Sequence, residues 1–164
     1  MKIAIISDTH DDVENTKVAL NQIKKEKISN LIHLGDLCSP FMIDLLKDFK
    51  VYMVFGNNDA DIYRIMTKIQ NLHFKVNDQM LELKLKGKLF ALYHGTSSEI
   101  TSALIHSNKY DYVLHGHTHI VRNEKIKNTT VLNPGTLNKA LSKNKKSTYM
   151  ILDLDNLKVE LKQF

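Results

Sequence analysis

The apolar positions of the chain fall into short runs separated by polar punctuation. Ile3-Ala4-Ile5-Ile6, Leu31 to Leu34 and Val51 to Phe55 are nearly continuous apolar runs, the pattern of strands covered on both faces. Between them the period changes. Val13 to Lys27 carries Val13, Leu20 and Ile23 at roughly helical spacing, which predicts an amphipathic helix. Pro40 suits the first turn of a second helix, with Met42, Leu45, Leu46 and Phe49 as its apolar stripe. Ile62 to Ile69 reads as a short third helix.

The second half leans towards strands. Met80 to Lys86 alternates apolar and polar residues, so one of its faces is expected to meet solvent. Leu89 to Tyr93 is more apolar and more interior. Glu99 to Asn108 is expected to be helical behind a Ser97/Ser98 cap, and Asp11 and Asp12 to cap the first helix. Tyr112 to Leu114, Val121 to Ile126, Thr130 to Leu132, Thr148 to Leu154 and Val159 to Leu161 are further strand candidates. There is no repeat, linker or break in composition. Helix–strand alternation followed by a strand-rich tail predicts one α/β domain over residues 1–164, with two packed sheets and outer helices.

Composition narrows the class without naming it. With 43% apolar and 25% charged residues over 164 positions, disorder, collagen and low-complexity classes are excluded. The lone Cys38 closes no internal disulfide and is expected as a small apolar residue. No apolar run approaches a signal-peptide core or a membrane span, so a soluble cytoplasmic protein, monomeric or a small homo-oligomer, is the expectation. The net charge is +5, yet of 23 basic residues only Arg64 and Arg122 are arginine. Bidentate phosphate clamps and base readout favour arginine, so no stable nucleic-acid complex is expected.

The chemistry lies at the strand ends. The first run leads into Asp8-Thr9-His10, the second into Gly35-Asp36 and the third into Gly56-Asn57-Asn58-Asp59. Leu89 to Tyr93 leads into His94-Gly95, and Tyr112 to Leu114 into His115-Gly116-His117-Thr118-His119. In open α/β sheets, ligands bind beyond the carboxyl ends of strands. These loops would therefore gather carboxylate, imidazole and amide donors around one crevice. There is no cysteine pair for a closed structural zinc site. The donors exceed the needs of one ion. Asp8, His10, Asp36 and His119 can serve one, and Asp36, Asn57, His94 and His117 another. A shared carboxylate is a way to hold two dications roughly 3.5–4 Å apart. With only two anionic ligands and a bridging hydroxide, a residual charge of about +1 would attract phosphate.

Taken singly, each fragment has a bland reading: a Gly-Asp after a strand is usually a turn. Together, each ending an apolar run, they resist it, because a core with so many unpaired polar groups is expensive. His33 and His115 are expected as hydrogen-bonded core histidines beside the site, and His73 and His106 at the surface.

Ser7-Asp8-Thr9-His10, Gly35-Asp36, Gly56-Asn57-x-Asp59, His94-Gly95, Gly116-His117-Thr118-His119 and Asn133-Pro134-Gly135-Thr136 resemble the motifs of the calcineurin-like metallophosphoesterases, especially their small single-domain prokaryotic branch. The resemblance implies a four-layer αββα sandwich of two mixed sheets flanked by helices. It also implies a two-metal site with the ligand division above, and hydrolysis of small phosphate mono- or diesters. Manganese is the expected ion, with iron, zinc, nickel or cobalt as alternatives. The expected mechanism is in-line attack on phosphorus by a metal-bridging hydroxide, carried by Asp8, Asp36 and Asn57. Asp59 is expected to support the ligands. Asn133 and Thr136 either border the substrate phosphate or form a structural turn.

One departure carries a consequence. Many members place a histidine after the metal-binding asparagine, where it can protonate the leaving alkoxide. This chain has Asn58 there, which is no general acid, so aryl esters should be cleaved faster than alkyl ones. Two other classes compete. A non-catalytic scaffold would typically lack several of the histidines, all of which are present here. A nuclease would need a recognition domain for which this length leaves no room.

Overall fold

The computed structural model describes residues 1–164. Strand β1 (Lys2–Ile6) leads through α1 (Val13–Lys25) into β2 (Asn30–His33). A 3-10 turn at Pro40–Met42 runs into the single turn of α2 (Ile43–Leu46), followed by β3 (Lys50–Val54), α3 (Ile62–Ile69) and β4 (Phe74–Asn77). The rest comprises β5 (Met80–Leu85), β6 (Lys88–Tyr93), α4 (Ser98–His106), β7 (Tyr112–Leu114), β8 (Arg122–Ile126), β9 (Thr129–Asn133), β10 (Thr148–Asp153) and β11 (Lys158–Gln163).

Two sheets result. The first has the order β11-β10-β1-β2-β3-β4 and the second β5-β6-β7-β9-β8. Both are mixed: β1 to β4 run parallel while β10 and β11 are antiparallel additions, and the β6–β7–β9 parallel core carries antiparallel β5 and β8.

The period of two along each strand sorts side chains between layers. In β1, Ile3 and Ile5 face the space between the sheets, where they meet Ile32, Leu34, Val54, Phe90, Leu92 and Leu114. Ala4 and Ile6 face the other way, onto a core shared with Leu20 and Ile23 of α1, Ile43 and Leu46 of α2 and Ile65 of α3. Val113 and Val131 of the second sheet pack outward under Ile105 of α4. Continuous apolar runs are therefore required, since neither face of these strands is wet. The result is helices, sheet, sheet, helix: the four layers the resemblance implied.

Several boundaries shift by one or two residues, α4 ending at His106 rather than Asn108 and β11 running on to Gln163; three differences have a visible local cause. The first helix stops two residues early, because Lys27 adopts φ +57° and the Ile28 N–H closes back on the Ile23 carbonyl, a left-handed cap. The Pro40 helix is shorter than its stripe. Met42, Leu46 and Phe49 are all buried, but the chain turns after α2 so that the Lys50 N–H reaches the Ser29 carbonyl and enters β3. Strand β4 lies outside the elements that the sequence pattern predicts. It is an edge strand with alternating half-buried and exposed residues, and only Phe74 and Val76 mark it.

Candidate metal centre

The first, second, third, sixth and seventh strands end at the same rim. There the structure brings together Asp8, Asp36, Asn57 and the four imidazoles of His10, His94, His117 and His119. Asp8, His10 and His119 form one group whose ligand atoms lie within 4.8 Å of one another, and Asp36, His94 and His117 form a second. Asp36 stands between them: its Oδ2 is 3.4 Å from His10 Nε2 and 3.4 Å from His94 Nε2. Asn57 joins the second group through Oδ1, 3.1 Å from His94 Nε2.

The backbone is distorted to achieve this. Asp8, His10, Asp36, His117 and His119 all have positive φ, between +41° and +64°. Left-handed backbone at a residue with a side chain costs on the order of 1–3 kcal/mol, and here five donors adopt it. Close approach is enforced by glycine. A Cβ on Gly116 would strike the Ser7 hydroxyl and the Asp8 carboxylate, and one on Gly35 would meet His94 Nδ1 at 2.7 Å. These glycines let the two sheets' loops interlock.

Second contacts fix each donor. His94 Nδ1 donates to the Leu34 carbonyl at 2.7 Å, so the tautomer is set and Nε2 points its lone pair into the site. The His117 N–H donates to Asp8 Oδ2 at 3.1 Å. Asp59 is buried and accepts from three backbone N–H groups, those of Asp36 and Gly56 on Oδ2 and of Cys38 on Oδ1. It touches no donor atom directly and shapes the loop that carries Asp36. Its own pKa is raised, since burial outweighs those three bonds. Asn58 lies against Asp36, donating its backbone N–H to Oδ1 and its side-chain amide to Oδ2, each at 2.8 Å.

Asn133 and Thr136 tie the 133–138 turn to the rim. Both are fully buried. Asn133 Nδ2 donates to the Gly116 carbonyl (2.9 Å) and to Thr118 Oγ1 (3.0 Å), holding the His117–His119 loop. The Thr136 hydroxyl donates to the Asp8 carbonyl at 2.7 Å. Asn138, which the sequence did not single out, donates its amide to the His10 carbonyl at 3.4 Å; no local signal marks a partner 128 positions away.

His33 is buried and bridges two loops: its Nδ1 accepts from the Gly35 N–H, and its Nε2 faces Thr9 Oγ1 at 3.2 Å. Burial pushes its pKa down to about 4. His115 is also buried and its pKa is lowered by burial, with the Arg122 charge adding to the effect; its Nδ1 faces the Gly116 carbonyl. His73 and His106 are exposed. Asp12 caps α1 by accepting from the Asn15 N–H. Asp11 does not cap it; its carboxylate instead accepts from the Ser39 N–H and hydroxyl. Cys38 is half-buried, with Sγ 3.6 Å from His10 Nδ1. Burial, reinforced by four surrounding carboxylates, pushes its thiol up to about 12.

The electrostatics test whether cations fit. Burial works to raise the pKa of Asp36, but His94 and Asn58 outweigh it, and the carboxyl is held well below the usual range. The Asp8 carboxylate raises the pKa of His119; His94 is raised too, the pull of Asp36 and Asp8 overcoming its burial. Asp8 Oδ1 and His10 Nε2 are buried with no hydrogen-bond partner. Buried polar atoms are normally satisfied. Two unsatisfied buried atoms on the loop after β1, facing carboxylate and imidazole donors from the other strand ends, match the demands of divalent cations with nitrogen and oxygen preference. The residues fit the group.

Comparison with known proteins places the chain. Residues 1–157 match the family model of the calcineurin-like phosphoesterase superfamily domain, and the chain belongs to that metal-dependent family. Phosphodiesterase MJ0936 of Methanocaldococcus jannaschii is 30% identical over 138 residues, covering 82% of this chain and 83% of the relative. The structure of an archaeal phosphodiesterase superposes with a TM-score of 0.91 at 28% identity over the full length of both chains. Vps29 of Entamoeba histolytica, in complex with zinc, shares the fold at a TM-score of 0.72 and 19% identity, over all of this chain and 98% of the other. No helix is long and apolar enough to cross a membrane.

Proposed function

We propose that the protein is a phosphoesterase of this family that hydrolyses small phosphate esters at a two-cation centre, with residues 1–164 acting as one catalytic domain. Asp8, His10, Asp36 and His119 would hold one ion and Asp36, Asn57, His94 and His117 the other. The observation that carries the reading is Asp36 Oδ2, equidistant at 3.4 Å from an imidazole of each group. When bound, divalent cations supply Lewis acidity to an attacking water and positive charge to the phosphate oxygens. Manganese is the first candidate, with iron, zinc, nickel and cobalt behind it. The name of the Methanocaldococcus jannaschii relative, a phosphodiesterase, supports the same reaction class.

The chain's own residues account for the rest. Asp59 and Thr136 fix the loops of Asp36 and Asp8. His94 is held in one tautomer by the Leu34 carbonyl. The rim places seven donors in a cleft whose strained backbone is set before substrate arrives, which keeps the reorganisation needed for reaction small. Asn58 has no proton of useful acidity to give, so the leaving group takes its proton from solvent, and aryl esters with stable leaving anions turn over faster than alkyl esters. The protein acts in the cytoplasm on small esters, without a stable nucleic-acid complex.

The test is a screen of nitrophenyl phosphate, bis-nitrophenyl phosphate and cyclic nucleotides with and without manganese, paired with metal analysis of the purified protein. Hydrolysis that depends on added metal and disappears in Asp36→Asn supports the reading. A protein that binds no divalent ion after manganese soaking, or that cleaves no ester when loaded, overturns it.

A further inference from the structure

Two cavities flank the candidate metal centre at opposite ends, and they differ in chemistry. The one beyond His119 has a volume of about 210 Å³ and carries Lys143. The one beyond Asn57 and His94 is about 410 Å³, and no lysine or arginine lines it. Its size falls within the range of small-molecule sites, ~300–1,000 Å³.

The larger cavity combines two kinds of surface. Phe55, Tyr93 and Ile100 give it apolar walls, while Asp78, Gln79 and Thr96 supply polar groups. Tyr93 is anchored, its hydroxyl accepting from the Ser97 N–H at 2.9 Å, so that wall is rigid. Asp78 Oδ1 accepts from the Gln79 N–H, which leaves its second carboxylate oxygen free. The side chains of Gln79 and Thr96 have no partner within the chain. Ile100, on the first turns of α4, is half exposed.

Flat apolar walls, a free carboxylate and an uncommitted amide suit a planar heterocycle with N–H groups on its edge. They disfavour an additional phosphate, which would meet the Asp78 charge with no cation to offset it. A sugar alone would leave the apolar walls wet, and a plain alkyl group would leave the polar groups unpaired. Because Asn57 and His94 form one side of this cavity, a group seated here is continuous with a phosphate at the metal centre.

We infer that the cavity of Phe55, Asp78, Gln79, Tyr93, Thr96 and Ile100 is a specificity subsite for the nucleoside arm of a phosphodiester, with the base between Ile100 and Tyr93 and its N–H edge on Asp78 and Gln79. The inference rests on the phosphoesterase reading above and adds the substrate class to it.

The test compares thymidine 5′-(p-nitrophenyl phosphate) with methyl p-nitrophenyl phosphate on the manganese-loaded protein. Wild type should prefer the thymidine ester by about tenfold or more in kcat/KM, the effect of one well-filled aromatic subsite. Ile100→Trp fills the cavity without touching a donor residue. It should lower kcat/KM for the thymidine ester about tenfold and leave the methyl ester within about twofold. Asp78→Asn should cost the thymidine ester roughly threefold, the effect of weakening one hydrogen bond. Independently of turnover, thymidine monophosphate titrated into the protein loaded with diamagnetic zinc should shift the Ile100 methyl resonance, and this shift should be absent with methyl phosphate.

Equal rates on the two esters, equal losses on both in Ile100→Trp, or an unmoved Ile100 resonance each overturn the subsite. Absence of hydrolysis of either ester, with the Ile100 shift intact, counts instead against the phosphoesterase reading and leaves the subsite standing.

Discussion

Left-handed backbone occurs at both ends of the sheets, and its company differs. At the hairpin end, Lys86, Lys127 and Leu157 have φ of +47°, +53° and +58°. They sit in the short turns joining β5 to β6, β8 to β9 and β10 to β11, are exposed, and adopt the conformation that tight connections between antiparallel strands require. At the other end, Asp8, His10, Asp36, His117 and His119 adopt it in loops that follow parallel strands, where no such turn is needed. There the strain aims donors. It is maintained by Asn133, Thr136, Asp59 and the close-packed glycines rather than by the turn itself. Strain at the hairpins is a by-product of connectivity; at the rim it is part of the site's construction.

Four measurements bear on that contrast. Asp36→Asn should have the largest effect. Removing the carboxylate that faces both donor groups should lower kcat/KM by roughly 10³-fold or more, at or above the cost of one preorganised electrostatic donor. It should also weaken binding of both ions, whereas His119→Ala should weaken one; metal titration separates the two. If the Asp36 variant keeps one tight ion and near-full activity, the two groups are independent and the contrast loses its centre.

The next effect is on acid stability. His33 has its pKa pushed from 6.5 to about 4 by burial. A histidine that the fold keeps neutral contributes stability that is fully present above pH 6.5. That contribution falls as the unfolded chain takes up a proton the native state refuses, reaching a loss of about 3 kcal/mol by pH 4. Urea unfolding of chelator-treated protein between pH 7 and pH 4 should show this loss in wild type and a shallower one in His33→Gln. Parallel curves for the two proteins would remove His33 as the cause.

Thr136→Val should cost about 1–3 kcal/mol by freeing the buried Asp8 carbonyl and the Asn138 N–H. Metal affinity should fall about 10- to 100-fold, as expected when a group supporting a ligand is lost. The smallest effect belongs to the hairpin end: Leu157→Gly should stabilise by up to about 1 kcal/mol and leave metal binding unchanged. The same change to glycine at His10 or His119 abolishes a donor, whatever it does to strain.

The fold was legible where the physics is local. Strands buried on both faces must be apolar throughout, so β1, β2 and β3 announced themselves, and the sudden Asp8, Asp36 and Asn57 after them marked the rim. α3 coincides with the helix expected over Ile62 to Ile69, and the structure shows its start fixed by Asp61, whose side chain accepts from the Arg64 N–H. β4 was missed because an edge strand needs few apolar residues, and Phe74 and Val76 alone make no pattern. The apolar stripe after Pro40 outruns its helix because Phe49 continues the helical period while the backbone has already turned. Within the site, donor types and spacing identified the seven residues that the structure gathers. What held them did not show: the partners of Thr136, Asn138 and Asp11 lie 128, 128 and 28 positions away, and no sequence period encodes such distances.

Strand β1, which leads into Asp8 and His10, is hydrogen-bonded on one side to β10, with Lys2 opposite Asp153. The rim it feeds is clasped by the 133–138 turn. Donors near one end of the sequence are thus positioned by a turn 128 positions away. Pairing of β10 with β1 and closure of the 133–138 turn must therefore both be in place before the loops of Asp8 and His10 acquire their final shape, which makes this part of the rim a product of tertiary folding and not of local sequence.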